Sequence, residues 1–543
     1  MVAQLVLGPL LRYVDEHAAT VWVETDAACE VAVLGRRART FHVAGHHYAV
    51  VAVEDLAPGE AHDYGVALDG ERRWPAPGVS DPSSRITPLD PERGLRLAFG
   101  SCRASAPHEA PWTRPRREHP QGRGSDALRA LARRLRDQPV SERPSLLLMV
   151  GDQVYADDAA PQTRAFIRGR RSTEAEPGEE VVDFEEYTRL YHEAWSDPDI
   201  RWLLSTLPSA MIFDDHEVVD DWNISDAWRR EMSARPWWAD RIAGALMAYW
   251  IYQHLGNLSP AELRAEPMLA AVQASDDGAS LLREFALRSD RGGAGTRWSY
   301  SRRLGGAHLV VVDSRAGRML EPGHREMIDD DQWRWLDAEL RGDVDHLLLA
   351  TSLPYLLPQS IHAAEAWSEA ICDGAWGSRV AKLGERLRRM IDLEHWAAFR
   401  ASFERLAAML AEVSAGRRGR APATIVLLSG DVHYGYLAEA HFPGRATESA
   451  VYQAVASPFR QGLTRPMELA NRLAFTRAMG LAGALLLAIT RLPRPSIRWR
   501  TRQRPVFANQ IATLDLHTRT ARLRFDGVAP GEADLRVAEH ELS

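Results

Sequence analysis

The chain has very few cysteines and almost no lysine. Cys29, Cys102 and Cys372 are the only cysteines in 543 residues, and a set that is both odd and sparse is no disulfide framework. A reducing compartment is therefore favoured. Lys382 is the single lysine among 66 basic residues. Genomic base composition accounts for this excess of arginine, and selection for side chains that bind phosphate with two parallel hydrogen bonds is the alternative.

Features typical of several other protein classes are also missing. The net charge of −8 does not indicate a nucleic-acid partner, because domains that bind nucleic acid usually carry a positive balance. The first twenty residues have neither a basic start nor a long apolar core, so we expect no secretory signal and favour a cytoplasmic location. An apolar content of 45% is that of a soluble globular protein, and the length predicts two or more folded units.

One long apolar run is present, from Leu473 to Ile489, and only Thr476 and Arg477 interrupt it. It is slightly short for a bilayer span, and an arginine inside a span is unfavourable. The preferred interpretation is a buried helix or a lid over a pocket. The alternatives are a helix at residues 467–490 that lies in a membrane interface or caps a lipid-like substrate, which would make the protein membrane-peripheral, and a true span.

Residues 1–75 have the pattern of a small β-sandwich, followed by a proline-rich linker at residues 76–94. Short runs rich in valine, tyrosine and threonine recur about every ten residues and are separated by turn signals. The strands predicted from these runs are Leu10–Val14, Thr20–Glu24, Cys29–Leu34, Thr40–Val43 and Tyr48–Val53.

From residue 95 to about residue 530 the pattern is that of a layered α/β domain. Unbroken apolar runs of strand length alternate with long helical stretches, as expected for strands that are buried on both faces. The predicted strands are Leu95–Phe99, Leu146–Val150, Met211–Phe213, Leu309–Val312, Leu347–Ala350 and Thr424–Leu428. Helical insertions are expected at about residues 224–303, 359–421 and 465–505.

Four of these strands lead directly into side chains that bind metals. The segments that follow them are GSCR at 100–103, GDQVYADD at 151–158, DDHE at 214–217 and SGDVH at 429–433. Ligands in an open α/β sheet bind beyond the carboxyl ends of the strands, so these segments are expected to converge. Each segment alone is a weak signal, but four together, offering carboxylate, imidazole, thiolate and phenolate groups, predict a metal site.

The order of GSCR, GDQVYADD, FDDHEVVDDW, LPYLLP and SGDVHYG resembles the PhoD-like alkaline phosphatases, a branch of the calcineurin-like metallophosphatase superfamily. The resemblance spans nearly the whole chain, including the β-rich start. It implies a four-layered α/β/β/α sandwich with a small N-terminal β-sandwich. It also implies an enzyme that hydrolyses phosphodiesters or phosphomonoesters by attack of metal-bound hydroxide.

The resemblance further implies roles for particular residues. Cys102, Asp152 and Tyr155 would bind ferric iron, with calcium ions beside it, although other divalent metals remain alternatives. Asp215, Asp431 and His433 would complete the metal site. His216 would be the general acid that protonates the leaving oxygen.

Several points stay open at this stage. The superfamily's usual Asp-x-His start is replaced here by Ser101-Cys102-Arg103, so a di-iron, di-manganese or zinc centre is not assumed. Asp215 is preferred over the adjacent Asp214 as the ligand. Arg103 is a candidate catalytic residue that either contacts the phosphate or pairs with a carboxylate. Three later residues either add calcium or substrate contacts or belong to a solvated helix face: Asp220, Asp221 and Asn223.

Two rival functions belong to other classes. The first is a non-catalytic metal-binding scaffold that attaches to a membrane or a partner through residues 467–490; the complete ligand set and His216 argue against it. The second is a non-haem iron oxidoreductase, but the motifs lack the two-histidine, one-carboxylate arrangement of such enzymes. The tryptophan-rich and apolar helices favour a bulky or lipid-like phosphoester substrate, and no nucleic-acid scaffold role is expected.

Overall fold

The computed structural model describes residues 3–78, 81–291, 297–529 and 534–543. Residues 1–2 of the predicted sandwich, 79–80 of the predicted linker, 292–296 of the first predicted insertion and residue 530 lie outside the described residues. The first ten strands are β1 Leu5–Val14, β2 Ala19–Thr25, β3 Glu30–Val33, β4 Arg36–Arg39, β5 Phe41–Val43, β6 His46–Val53, β7 His62–Asp63, β8 Val66–Leu68, β9 Glu71–Trp74 and β10 Arg85–Ile86.

The N-terminal strands form two antiparallel four-stranded sheets, in the orders β1-β2-β6-β5 and β4-β3-β8-β9. Valines at alternate positions of β2, such as Val21 and Val23, point into a core that they share with Val31, Val66 and Leu68 of the other sheet. A period of two is what a half-buried strand requires. The small β-sandwich is confirmed, while its limits at residues 1–75 stay a prediction.

The remaining strands build the second part of the chain. They are β11 Leu95–Gly100, β12 Leu146–Val150, β13 Ser209–Ile212, β14 Tyr300–Leu304, β15 Ala307–Val312, β16 Met319–Glu321, β17 His324–Glu326, β18 His346–Thr351, β19 Thr424–Ser429, β20 Gly435–His441, β21 Ala450–Val455, β22 Arg498–Val506, β23 Gln510–His517, β24 Thr520–Val528 and β25 Asp534–Glu541. Two large mixed sheets result, ordered β13-β12-β11-β23-β24-β25 and β14-β15-β18-β19-β21-β20-β22.

Helices cover the outer faces of these sheets and fill the insertions. They are α1 Ala127–Asp137, α2 Pro161–Arg170, α3 Phe184–Trp195, α4 Pro198–Thr206, α5 Asp226–Ser233, α6 Trp238–Ala248, α7 Leu255–Asn257, α8 Pro260–Ala265, α9 Pro267–Gln273, α10 Ala279–Asp290, α11 Asp330–Glu339, α12 Gln359–Cys372, α13 Ser378–Met390, α14 Arg400–Ser414, α15 Arg465–Ala474 and α16 Arg477–Ile489. A π-helical turn, Tyr249–His254, separates α6 from α7.

The two sheets pack face to face between layers of helices. Along β15, Leu309 and Val311 join the core between the sheets, whereas Val310 and Val312 join a second core against α11 and α14. The same alternation holds along β18 and β19, because successive side chains of a strand point to opposite faces. Apolar residues at every position are therefore needed, and the four-layered α/β/β/α sandwich is confirmed.

Part of the third predicted insertion is not helical. Residues 465–489 form α15 and α16, but residues 498–505 belong to β22, an edge strand that pairs antiparallel with β20. This stretch, RWRTRQRP, is rich in arginine and carries no apolar run. Edge strands tolerate charged residues because one side of the strand faces solvent, so hydrophobic pattern alone does not reveal them.

The predicted single apolar helix is a bent pair. The axes of α15 and α16 meet at 69° around Phe475 and Thr476. Thr476 is the N-cap of α16, because its side chain accepts a hydrogen bond from the backbone NH of Met479. Within the described ranges no helix alone has the length and apolar character of a bilayer span, whereas this bent pair meets that criterion when its two helices are counted together.

Candidate metal centre

The segment after β11 brings Cys102 into the interior. Its backbone is left-handed, with φ of +60°, and its NH donates to the carbonyl of Gly151 at 3.2 Å, which extends the contact between β11 and β12 beyond the strands. The buried sulfur lies 3.0 Å from the hydroxyl of Ser101. Burial, together with the carboxylates of Asp152 and Asp431, raises the pKa of the thiol well above its usual value. A bound cation would stabilise the thiolate form against this rise.

The segment after β12 packs tightly against the segment that follows β13. Gly151 has φ of +109°, and a Cβ at this position would lie only 2.8 Å from the Cβ of Asp214, so glycine is required. Asp152 follows with φ of +51° and accepts a hydrogen bond from the hydroxyl of Tyr155 at 3.4 Å. Burial raises the pKa of both side chains well above their usual values, and Asp152 raises that of Tyr155 further.

Two adjacent aspartates follow β13, and both reach the site. The fully buried guanidinium of Arg315 donates to Asp214 through Nε and lies 3.2 Å from Asp215 through Nη2. Asp215 also accepts a hydrogen bond from the NH of Asp221 at 3.0 Å. Burial raises the pKa of both aspartates, and Arg315 opposes this rise. The choice between Asp214 and Asp215 therefore stays a prediction, although Asp214 is the more closely paired with Arg315.

His216 is held by a carboxylate from the neighbouring segment. Its Nδ1 lies 2.8 Å from Asp157 Oδ2, and its ring packs on Tyr155 with the ring centres 4.6 Å apart. Burial would lower the pKa of the imidazole, but Asp157 and Asp215 raise it well above its usual value. With Nδ1 engaged by Asp157, the ring has a fixed orientation beside the acidic groups.

The segment after β19 supplies Asp431 and His433, both with left-handed backbones, at φ of +64° and +57°. Asp431 Oδ2 lies 3.1 Å from Nε2 of His395, whose Nδ1 lies 2.7 Å from a carboxylate oxygen of Glu365. Burial opposes the effect, but His395 holds the pKa of Asp431 well below its usual value. Burial lowers the pKa of His433 to about 4, so its ring is neutral and suited to metal binding.

These segments converge on one place, which we call the strand-end site. Its side chains form three overlapping groups in which the possible ligand atoms all lie within 4.8 Å of one another. The groups are Cys102, Asp152 and His433; Asp152, Asp215 and His216; and Asp214, Asp215 and Asp431. Asp152 and Asp215 each belong to two groups, so each would be available to more than one cation.

The polar atoms of the strand-end site fit bound cations. Buried oxygens of Asp152, Asp214, Asp221 and Asn223 have no hydrogen-bond partner among the described residues. Burying such oxygens without a partner is unfavourable, and a cation satisfies them. Carboxylate and amide oxygens suit hard cations such as calcium, whereas a thiolate, a phenolate and an imidazole suit a transition metal.

Arg103 lies behind the segment that carries Cys102 and pairs with a buried carboxylate. The side chain is only 4% exposed, and its Nε and Nη2 both donate to Asp126, at 3.0 and 2.8 Å. Its Nη1 donates to the carbonyl of Ala194 at 2.7 Å. Asp126 is itself the N-cap of α1. The structure therefore favours the second alternative, pairing with a carboxylate, and Arg103 anchors α1 behind the segment that carries Cys102.

The residues after His216 border the site without forming a regular helix face. Asp221 and Asn223 have left-handed backbones, at φ of +65° and +61°, and Asn223 is buried with its amide donating to the carbonyl of Arg315 at 3.2 Å. Burial raises the pKa of Asp221 to about 9 and, with Asp215, that of Asp220 to about 7. The proposed helix-face interpretation is therefore wrong for Asp221 and Asn223, since α5 begins only at Asp226.

Several residues of the site were not identified from the sequence. Asp157 was visible within the GDQVYADD motif, but nothing in the motif distinguishes it from Asp158. Arg315 also follows a strand, β15, and its position after a strand end was the available signal. His395 and Glu365 come from the second insertion, and no local pattern marks them, because only tertiary packing brings that insertion over β19.

A second cluster lies away from the strand-end site. The buried carboxylate of Glu24 on β2 lies 2.9 Å from His46 and 2.8 Å from His192, and it accepts a hydrogen bond from the hydroxyl of Tyr252 at 2.9 Å. His46 also lies 2.9 Å from Glu185. These atoms are already within hydrogen-bonding distance of one another, so the cluster is an ion-paired network that joins the N-terminal sandwich to α3.

The fold is a face-to-face pair of mixed sheets that gathers acidic, imidazole and thiol groups at the strand ends, where they could hold metal ions. The family model for PhoD-like phosphatases matches residues 124–478, and the chain belongs to this family. PhoD-like phosphatases are metal-dependent phosphoester hydrolases. A domain of unknown function, DUF7800, matches residues 2–86. Cys102 and Arg103 lie between these two matched segments.

Solved structures show what the fold resembles. A structure of PhoD superposes with a TM-score of 0.59 over 99% of this chain and 92% of that chain, at 12% identity, and a likeness at that identity concerns the fold alone. A maltogenic amylase from S. marinus aligns at 9% identity over 97% of this chain and 80% of that chain, but its TM-score of 0.14 carries no argument. No curated protein sequence matches this chain.

Proposed function

We propose that the strand-end site hydrolyses phosphodiesters or phosphomonoesters, with Cys102, Asp152, Tyr155, Asp215, Asp431 and His433 as metal ligands and His216 as the proton donor. One observation carries this proposal. Three overlapping groups of ligand atoms share Asp152 and Asp215, and His216, held by Asp157, belongs to one of them. His216 therefore lies beside carboxylates that would hold cations, which supports its proposed role as proton donor.

The donor set supports a mixed metal site. Cys102, Asp152, His433 and the hydroxyl of Tyr155 offer sulfur, oxygen and nitrogen atoms around one position, which suits ferric iron. Asp214, Asp215 and Asp431 offer oxygens only, which suits calcium. When bound, such cations acidify a water molecule and neutralise charge on the phosphate oxygens.

The chain's own residues position and move the proton. Asp157 accepts a hydrogen bond from Nδ1 of His216, which fixes the ring and leaves Nε2 to donate a proton to the departing alkoxide. Glu217 stabilises the backbone beside His216. Its carboxylate accepts hydrogen bonds from the backbone NH groups of Asp214, at 2.7 Å, and Gln153, at 3.3 Å. Arg315 balances the acidic groups.

The metal assignment is tested on the purified full chain by mass spectrometry of bound metals together with visible absorption. We expect iron and calcium, and a violet colour from charge transfer between Tyr155 and ferric iron. The Tyr155→Phe variant should lose the colour. A colourless, iron-free protein with full activity would overturn the iron assignment and leave the hydrolase proposal standing.

The hydrolase proposal is tested with p-nitrophenyl phosphate and bis-p-nitrophenyl phosphate. Turnover of either ester without oxygen or a reductant supports it and excludes the oxidoreductase alternative. Metal-loaded, folded protein that is inactive on both esters supports the non-catalytic scaffold instead. The ratio of the two rates decides between monoesterase and diesterase activity.

The proposal extends to where the enzyme acts. The three sparse cysteines support a cytoplasmic location. The exposed apolar surface of α15 and α16 supports a membrane-peripheral position and a bulky or lipid-like phosphoester substrate. A fractionation experiment that finds the protein only outside the cell would contradict the location.

A further inference from the structure

The helices α15 and α16 expose an unusual amount of apolar surface. Seven large apolar side chains on them are between 42% and 73% exposed: Met467, Leu469, Leu473, Met479, Leu481, Leu485 and Ile489. Single exposed apolar residues are ordinary, but a contiguous group of this size marks a contact surface in a folded protein. We call these seven side chains the apolar patch.

The rest of the protein covers only one side of α16. Leu487 packs against Ala363 and Ala366 of α12, and Gly483 lies so close to α12 that an added Cβ would sit 3.1 Å from Ala363 and from the carbonyl of Gln359. Leu481, Leu485 and Ile489 face away from this contact and stay exposed. The helix is thus firmly seated, and its exposed side is free to contact something outside the chain.

Arginines without acidic partners in sequence accompany the apolar patch along the chain. Residues 469–494 contain no aspartate or glutamate, whereas arginines occur at 472, 477, 491 and 494. The one acidic residue of α15, Glu468, is only 13% exposed at its side chain and lies 3.5 Å from Arg117. An apolar surface edged with arginine matches the acyl chains and anionic headgroups of a membrane.

The bend between the two helices connects the apolar patch to the strand-end site. The ring of Phe475 packs on Tyr434 and Tyr436, with ring centres 5.7 and 5.3 Å apart. Tyr434 directly follows His433. The apolar patch is therefore rigidly linked to the segment after β19.

We propose that the apolar patch docks this protein onto a membrane surface that carries anionic lipids. A second copy of the chain is the less suitable occupant. In a two-fold contact the arginines that border the apolar patch would face those of the other copy, and no acidic residue of 469–494 is there to pair with them. Anionic headgroups pair with these arginines while the leucines reach the acyl chains beneath the headgroups.

Vesicle flotation of the full-length protein tests this docking. Wild type should float with vesicles of phosphatidylcholine mixed with phosphatidylglycerol, and far less with phosphatidylcholine alone. The Leu481→Ser/Leu485→Ser/Ile489→Ser variant should bind the mixed vesicles with an affinity at least about tenfold lower than that of wild type. In the Arg477→Gln/Arg494→Gln variant, affinity for the mixed vesicles should fall about fivefold for each arginine removed, whereas binding to phosphatidylcholine alone should not change.

A matched control removes exposed apolar side chains elsewhere. Leu34→Ser/Val537→Ser changes two residues that are 41% and 39% exposed in the N-terminal sandwich and on β25, and it should float like wild type. Turnover of soluble p-nitrophenyl phosphate should be equal in all these variants. This turnover measures folding and the strand-end site independently of vesicle binding. Failure of the docking proposal is therefore distinguishable from failure of the hydrolase proposal.

Two results would overturn the docking proposal. One is equal flotation of wild type and the triple variant on the mixed vesicles. The other is sedimentation of wild type as a dimer that the triple variant abolishes, without vesicle binding by either protein. That second result would assign the apolar patch to self-association.

Discussion

At the scale of single residues, His216 is the side chain whose effect should depend on the leaving group. We predict that His216→Gln lowers turnover of an alkyl phosphoester by about 10²- to 10⁴-fold, because an alkoxide needs a proton as it departs. The loss with a p-nitrophenyl ester should be much smaller, since nitrophenolate leaves without one. Steady-state rates on the two esters, with bound metals measured by mass spectrometry, check this prediction.

The Asp157→Asn variant gives a graded comparison. It keeps His216 but weakens the contact that orients the ring, so a smaller loss with the same dependence on the leaving group is expected. His324→Gln, an exposed histidine on β17, is the control and should change neither rate. If His216→Gln loses its metals along with its activity, the residue is structural and the proton-donor role is wrong.

Arg103 should affect stability more than catalysis. Arg103→Met leaves the buried carboxylate of Asp126 without its partner, which should lower the free energy of unfolding by about 3–5 kcal/mol. Turnover per folded molecule should stay near that of wild type. Denaturant unfolding and rates on the folded fraction measure the two effects.

A surface pair provides the control for Arg103. Arg93 is 64% exposed at its side chain and lies 3.4 Å from Asp90, so Arg93→Met should change stability by about 1 kcal/mol or less. A stable Arg103→Met variant with a large rise in KM would show instead that Arg103 contacts substrate.

At the scale of elements, the second insertion contributes directly to the metal site. His395 lies between the end of α13 and a 3₁₀ turn at Trp396–Ala398. It joins Asp431 to Glu365 of α12. We predict that His395→Gln weakens metal binding by about 10- to 100-fold, because a partner that orients a ligand tunes its affinity. Competition with a chelator, followed by metal analysis, measures this effect.

Two comparisons make this prediction specific. Glu365→Gln should weaken metal binding in the same direction but less, since it acts on Asp431 only through His395. His324→Gln should leave metal affinity unchanged. Equal metal affinity in His395→Gln and wild type would show that the insertion covers the site without supporting it.

Elements with a strong hydrophobic pattern were predictable, and others were not. The buried strands β11, β12, β15, β18 and β19 appear at the expected places because strands covered on both faces must be apolar at every position. The edge strand β22 was taken for part of a helical insertion because its arginines face solvent. The bend at Phe475 was missed because a threonine N-cap inside an apolar run is a weak signal.

At the scale of the whole molecule, the Glu24 network should make stability depend on pH. The contacts with Glu185 and Glu24, working against burial, raise the pKa of His46 to about 9, above its unfolded value of 6.5. The stabilisation is complete below about pH 6.5 and is lost as the pH rises through about 9. The pKa of Glu24 is lowered against burial by His192 and His46, so its contribution is lost only below about pH 4.5.

We therefore predict that the free energy of unfolding falls by about 1–3 kcal/mol between about pH 6.5 and about pH 9.5 through this network. Denaturant unfolding of wild type and His46→Gln at both pH values measures it, because other titrating groups contribute to both proteins. The dependence should be shallower in His46→Gln and unchanged in His324→Gln. Identical slopes in wild type and His46→Gln would contradict the prediction.

The sequence by itself determined the layered fold and most of the strand-end site. Short apolar runs bounded by turn signals indicated the buried strands, and the polar segments directly after them indicated a site at the carboxyl edge of the sheets. The resemblance to PhoD-like phosphatases then singled out Cys102, Asp152, Asp215, Asp431 and His433 within those segments. These features involve residues that are close together in the sequence, so the sequence alone reveals them.

Only the tertiary structure decided which distant side chains act together. Arg103 pairs with Asp126, His395 reaches Asp431 from an insertion, and Asp157 rather than Asp158 holds His216. The physical reason is that a charged side chain pairs with the opposite charge that is nearest in the folded chain. Nearness of that kind is set by how sheets and insertions pack, and no spacing along the sequence encodes it.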